Sequence, residues 1–142
     1  MSLLRVSRSL SSQLSRSAPG ARSITRLSTS DPRMSGAVVH GDMVYLSGQV
    51  PAGGPAEWAK APIEEQVSTT LDKVDSLLEM AGTDKSKVLS AHLWLKSMDD
   101  FAAMNKVWND WVDPDNKPAR ACVESTMANP AILFEVMVVA TK

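Results

Sequence analysis

A chain of 142 residues has room for one domain. With 44% apolar and 22% charged residues it can bury a core, and no run approaches the roughly 18 apolar residues that span a bilayer. A single cysteine, Cys122, excludes an internal disulfide, and two histidines, His40 and His92, give no zinc-ligand spacing. The formal charge of −1 averages two unlike segments. Residues 1–30 hold five of the fifteen basic residues and no acid, so residues 31–142 set ten cations against sixteen acids and carry about −6. That sign counts against nucleic acid, whose binding rests on Lys and Arg neutralising phosphates.

Residues 1–30 also contain ten serines. Leu3, Val6, Leu10 and Leu14 fall on one face at about 100° per residue, with Arg5, Arg8 and Arg16 opposite. An Arg-rich, Ser-rich, acid-free amphipathic segment has the pattern of a mitochondrial transit peptide. A disordered basic tail or a membrane-surface helix is the alternative. The expectation is a leader over 1–30, directing the protein to the mitochondrial matrix, followed by one domain over 31–142. Arg26, two residues before Ser28, points to cleavage after Leu27.

The first predicted elements are two strands, Val38–His40 and Met43–Ser47, joined by Gly41-Asp42, a pair suited to a primed hairpin turn. Residues 51–62 read as a loop through Pro51, Gly53-Gly54-Pro55 and Pro62. Ile63, Val67, Leu71, Val74, Leu78 and Ala81 recur at helical spacing between Pro62 and Gly82, which predicts a long helix. Lys87–Leu95 is a predicted strand, with Leu89, Ala91, Leu93 and Leu95 on one face. A shorter helix is predicted over Met98–Val112, carrying Phe101, Met104, Trp108 and Trp111. Two last strands are expected, Arg120–Ser125 and Ile132–Ala140. The order β-β-α-β-α-β-β implies an α+β domain with two helices on one face of a mixed sheet. The other face carries Val, Leu and Met, which predicts self-association.

No nucleophile–His–carboxylate order, phosphate-binding loop or metal motif is present. Polar chemistry instead interrupts strands built for burial. Arg120 opens one strand, Cys122 follows on the same face, and Glu135 breaks the apolar run of the last. If the last two strands pair as a hairpin, Arg120 and Glu135 approach each other. They then form either a cross-strand ion pair or a site in which Arg120 offers a planar fork to a carboxylate and Glu135 handles a water. Cys122 by itself reads as a small buried hydrophobe, Asn105 as a helix-surface amide, and the four tryptophans as core or interface packing.

Five segments in order carry a family resemblance: Tyr45-Leu46-Ser47-Gly48-Gln49-Val50-Pro51, Gln66, Asp100-Phe101-Ala102-Ala103-Met104-Asn105, Pro118-Ala119-Arg120-Ala121-Cys122-Val123-Glu124 and Phe134-Glu135-Val136. From about Arg33 to Lys142 the chain resembles the RidA/YjgF family. The resemblance implies a chorismate-mutase-like fold and a homotrimer with sites in clefts between subunits. It implies hydrolysis of 2-aminoacrylate- and 2-iminobutanoate-type enamines and imines to 2-oxo acids and ammonia, a metabolite-damage control role with no metal or organic cofactor. By the same resemblance Arg120 binds the substrate carboxylate, Glu135 positions water, and Ser47, Asn105 and Cys122 line the site. Two positions depart from the family pattern, Met34 where a pocket tyrosine is frequent and Met137 where a second acid is frequent. They motivate an alternative, a non-catalytic carboxylate-binding or regulatory protein of a divergent branch. Endoribonuclease or translation-inhibitor activity, ascribed to some relatives, fits the acidic domain poorly.

Overall fold

The computed structural model describes residues 23–142. Its strands are β1 (Ile24–Leu27), β2 (Ala37–His40), β3 (Met43–Leu46), β4 (Val88–Leu95), β5 (Ala119–Glu124) and β6 (Phe134–Thr141). Its α-helices are α1 (Pro55–Trp58), α2 (Ile63–Met80) and α3 (Phe101–Trp111). The six strands form one mixed sheet in the order β1-β2-β3-β6-β4-β5, all neighbours antiparallel except the parallel pair β4–β5. The α+β architecture and its two covering helices, in a chorismate-mutase-like arrangement, are as the sequence predicts. Four additions refine the order: β1, the short α1 inside the expected loop, and two 3₁₀ turns, Lys85–Lys87 before β4 and Met98–Asp100 leading into α3.

β1 lies within the 1–30 segment and pairs with β2 from Ile24 opposite His40 to Leu27 opposite Ala37. The hydrophobic face of the leader, Leu3 to Leu14, lies outside the described residues. Between β2 and β3, Gly41 takes φ 60°, the left-handed conformation that a primed two-residue turn requires.

The core lies between the sheet and α2 with α3. Val67, Leu71, Val74 and Leu78 of α2 are fully or almost fully buried against Val44, Leu93, Phe134, Val136 and Val138. Each such large side chain contributes about 2–5 kcal/mol, judged by truncation to Ala. Pro62 stands at the N-cap of α2, where its missing N–H costs nothing, and Glu64 and Glu65 occupy the first turn, where acids favour the helix dipole. Gln66 is one of three buried polar side chains, with Gln49 and Thr70. Fully buried, its amide donates to the carbonyls of Trp58 and Ala131 and its Oε1 accepts from Leu133 N at 2.8 Å. It fastens α2 to the loop before it and to the entrance of β6.

One expected face changes. A register shift between Val88 and Ser90 turns Leu89 outward, so β4 buries Val88, Ala91, Leu93 and Leu95. A bulge adds one residue to the strand and reverses the alternation before it. The sheet face away from the helices leaves Tyr45 46%, Val123 52% and Met137 36% exposed. Three large apolar side chains on one open face favour contact with another surface.

Candidate functional site

Arg120 and Glu135 do not meet within one chain. The expected hairpin of the last two strands is absent because β4 lies between β5 and β6. Arg120 aligns with Ala91 and Val138, on the helix-covered face, whereas Glu135 aligns with Trp94, on the open face. Side chains alternate along each strand, so the two groups project from opposite sides of the sheet. The intrachain ion pair is thereby excluded, and the polar residues divide into two half-sites.

The first half-site is at the β5 edge. The Arg120 Nη1 donates to Asn105 Oδ1 at 2.8 Å, and the guanidinium lies 5.3 Å from the centroid of the Trp108 ring. Asn105 and Trp108 stand three residues apart on α3, so both reach the β5 edge from one helix face. The amide and the indole restrict the guanidinium plane, while Arg120 remains exposed and has no carboxylate partner among the described residues. A cleft of about 490 Å³ opens beside it, walled by Trp108, Val112 and Pro118. Cys122 shares the face of Arg120, is half-buried and packs against the core. Burial pushes its thiol pKa up, against the smaller opposing effect of the Arg120 charge. The thiol therefore stays protonated at neutral pH, which suits a lining residue and not a nucleophile.

The second half-site surrounds the end of β3. Gln49 exchanges two backbone hydrogen bonds with Val136, at 2.8 and 3.0 Å. Between the Tyr45–Val139 pair and the Gln49–Val136 pair, four steps on one strand oppose three on the other. The extra residue bulges the chain at Ser47-Gly48. Into that bulge comes Glu135. A Cβ on Gly48 would lie 3.3 Å from Glu135 Cδ and closer still to Oε1, so only glycine leaves room for the carboxylate. Glu135 is half-buried, and desolvation raises its pKa above the ordinary 4.5. Ser47 Oγ donates to the Gly36 carbonyl at 3.3 Å and accepts from the Gln49 amide at 3.4 Å, with no hydrogen bond to a base among the described residues. It is a polar lining group.

The structure thus brings Arg120, Asn105 and Cys122 together at one edge, and Ser47 with Glu135 at another. Two members were missed from sequence. Trp108 read as packing, although its i+3 spacing from Asn105 placed it on the same helix face. Gly48 read as the end of a strand, although a glycine within a strand marks a close approach by another group. No group of three His, Cys, Asp or Glu able to hold a metal occurs among the described residues, and no helix among them is long and apolar enough to cross a membrane.

Comparison with known proteins places this architecture. Residues 25–142 match the family model described as Endoribonuclease L-PSP. The RutC family protein YoaB of Escherichia coli is 37% identical over 110 residues, covering 78% of this chain and 91% of YoaB. A member of the YjgF protein family from Neisseria meningitidis, solved by crystallography, superimposes with a TM-score of 0.77 at 39% identity, over 86% of this chain and 97% of that one. The fission yeast protein mmf1, mitochondrial, is 37% identical over 81 residues, 57% of this chain and 49% of that protein. With the family model covering residues 25–142 and the fold and the length of the match in agreement, the chain belongs to the RidA/YjgF family.

Proposed function

We propose that the protein hydrolyses 2-imino and 2-enamino acids, of the 2-iminobutanoate and 2-aminoacrylate type, to 2-oxo acids and ammonia. The observation that carries this reading is Arg120: an exposed guanidinium held by Asn105 and Trp108, with no acid of its own among the described residues. Such a fork receives a carboxylate in two parallel hydrogen bonds, which fixes the adjacent C=N carbon in place. Glu135 supplies the proton chemistry. Its carboxylate accepts a proton from water as the oxygen bonds to the carbon of the protonated imine, passes that proton to the carbinolamine nitrogen, and takes the hydroxyl proton as the C–N bond breaks and the C=O bond forms. One water is consumed, and one ammonia and one 2-oxo acid are released. An enamine enters by the same route once its carbon is protonated. The imine carbon is already electrophilic, so orientation and one proton carrier meet the demand without a cofactor.

Because the two half-sites face opposite sides of one sheet, the reading requires a second copy to bring its Glu135 to Arg120. The homotrimer characteristic of the resemblance supplies that arrangement, and the exposed Tyr45, Val123 and Met137 provide its apolar contact. The Arg-rich segment and the mitochondrial relative support action in the matrix, where damaged amino-acid intermediates arise. Domain limits of 1–30 for the leader and 31–142 for the mature chain belong to the same proposal, under which processing takes β1 from the edge of the sheet.

The test is release of ammonia and 2-oxo acid from imines generated in situ. Arg120→Ala is expected to lower kcat/KM by about 10- to 100-fold, the worth of a charge-assisted pair. Equal rates for native protein and variant, both at the level without protein, would overturn the enzyme reading. A second reading, carboxylate binding without turnover, is favoured by Met137, exposed on the open face two residues beyond Glu135 where a second acid is frequent in the family. Stabilisation by 2-oxo acids with no hydrolysis would select it.

A further inference from the structure

A cleft of about 600 Å³ lies between α2 and the segments Ser28–Gly36 and Ser47–Ala52. Two cations line it. Arg33 is paired with Asp31 through an ion pair of 2.9 Å, and its charge is neutralised there. The pairing is firm enough to hold the Asp31 carboxyl at a pKa of about 2.

Lys73 differs. It is half-buried, its Nζ donates to the Val50 carbonyl at 2.8 Å, and it forms no ion pair among the described residues. Asp72 also lines the cleft, but it is exposed and lies beyond ion-pair distance. An ammonium has three donors, and a neutral carbonyl satisfies one while returning no negative charge. Partial burial of an uncompensated cation is unfavourable, and desolvation accordingly lowers the Lys73 pKa. Ser28 and Ser30 line the same space, and neither side chain has a hydrogen-bond partner among the described residues. Other hydroxyls of the cleft are committed: Ser76 to the Asp72 carbonyl and Thr69 to that of Gln66.

We infer that Lys73 is an anion-binding group, and that this cleft takes a small oxyanion, a carboxylate or a phosphate, independently of Arg120. The anion replaces the counter-charge that the fold leaves out, with the ammonium as its main contact and the Ser28 and Ser30 hydroxyls as neutral donors. The cleft also contains Ser47 and Gly48, so it adjoins the second half-site through those two residues, while Glu135 itself stays outside its lining. A ligand with two anionic ends, or a regulatory anion next to the reacting centre, is the chemistry that such a second cation selects.

The experiment is calorimetric titration of the full chain with 2-oxobutanoate and, separately, inorganic phosphate, at low and high salt. Native protein and Arg120→Ala are expected to bind at least one of the two at this cleft, with affinity falling as salt rises. Lys73→Met and Lys73→Gln are both expected to weaken that binding by about 10- to 100-fold. Glutamine can still donate to the Val50 carbonyl, so it separates charge from loop support. Retained binding in Lys73→Gln overturns the inference, as does failure of native protein to bind either anion at low salt. Binding that disappears in Arg120→Ala but survives in Lys73→Met assigns the anion to Arg120 and also overturns it. Loss of hydrolysis with the Lys73 site intact would instead count only against the deaminase reading.

Discussion

The carboxylate of Glu135 occupies the space in which a side chain at position 48 would begin. Gly48 thereby decides where the proposed proton carrier sits, although it has no functional group. Substituting alanine forces either the Glu135 side chain or the bulged backbone to move. The flexible carboxylate is the cheaper of the two to displace. Gly48→Ala is therefore expected to fold with a loss of about 1–3 kcal/mol, the usual cost of overpacking, yet to lose about 10²- to 10⁴-fold in kcat. Thermal unfolding and ammonia release, measured together, check this; native activity in Gly48→Ala would separate the carboxylate's position from the reaction.

Burial gives Glu135 a second measurable property. Its folded pKa lies above 4.5, so the native state keeps this proton to higher pH than the unfolded chain does. Between the ordinary and the raised value, unfolding releases a proton, and stability falls as pH rises through that window. The Glu135 contribution is unfavourable from there upward and vanishes below the ordinary value. Glu135→Gln removes the ionisation. Its unfolding midpoint, followed from about pH 4 to pH 8, is expected to lack this part of the decline and to gain on the native protein towards neutrality.

What was legible in the sequence follows from the range of each signal. The long helix was plain because Val67, Leu71, Val74 and Leu78 repeat over about three turns of α2 and all face the core. The hairpin was plain because Gly41-Asp42 carries its own turn chemistry. Leu89 was misplaced, since a bulge leaves no mark in an alternating run of apolar residues. Strand neighbours were not legible either. Arg120 and Glu135 lie on consecutive strands, and nothing local in either records that β4 intervenes. The site residues themselves were found through the resemblance, while their division between two faces came from the register of the sheet.

Gln66 joins three segments that have no covalent reason to meet. Leucine at this position fits the volume but leaves Leu133 N without an acceptor and frees the Trp58 and Ala131 carbonyls inside the protein. Each buried group stripped of its partner costs about 1–3 kcal/mol, so Gln66→Leu is expected to lose about 2–5 kcal/mol in urea unfolding. Glutamate keeps the acceptor for Leu133 but loses the donors, and its charge is buried; it is expected to be at least as damaging at neutral pH and milder when protonated. Recovery of Gln66→Glu on acidification tells hydrogen bonding from simple packing.

The opposition of Arg120 and Glu135 across the sheet permits a test that one chain alone cannot pass. If each site takes Arg120 from one subunit and Glu135 from the next, Arg120→Ala and Glu135→Gln disable different halves. Each variant assembled alone has every site broken. When the two are unfolded together in equal amounts and refolded, random assembly pairs an intact Arg120 with an intact Glu135 at about one site in four. About a quarter of native activity is then expected from two impaired proteins, and only their own residual activity when they are mixed without subunit exchange. A site confined to one chain predicts no recovery under either condition. Recovery would also fix the minimum assembly, because a carboxylate that faces away from its arginine within one sheet can reach it only through a neighbour.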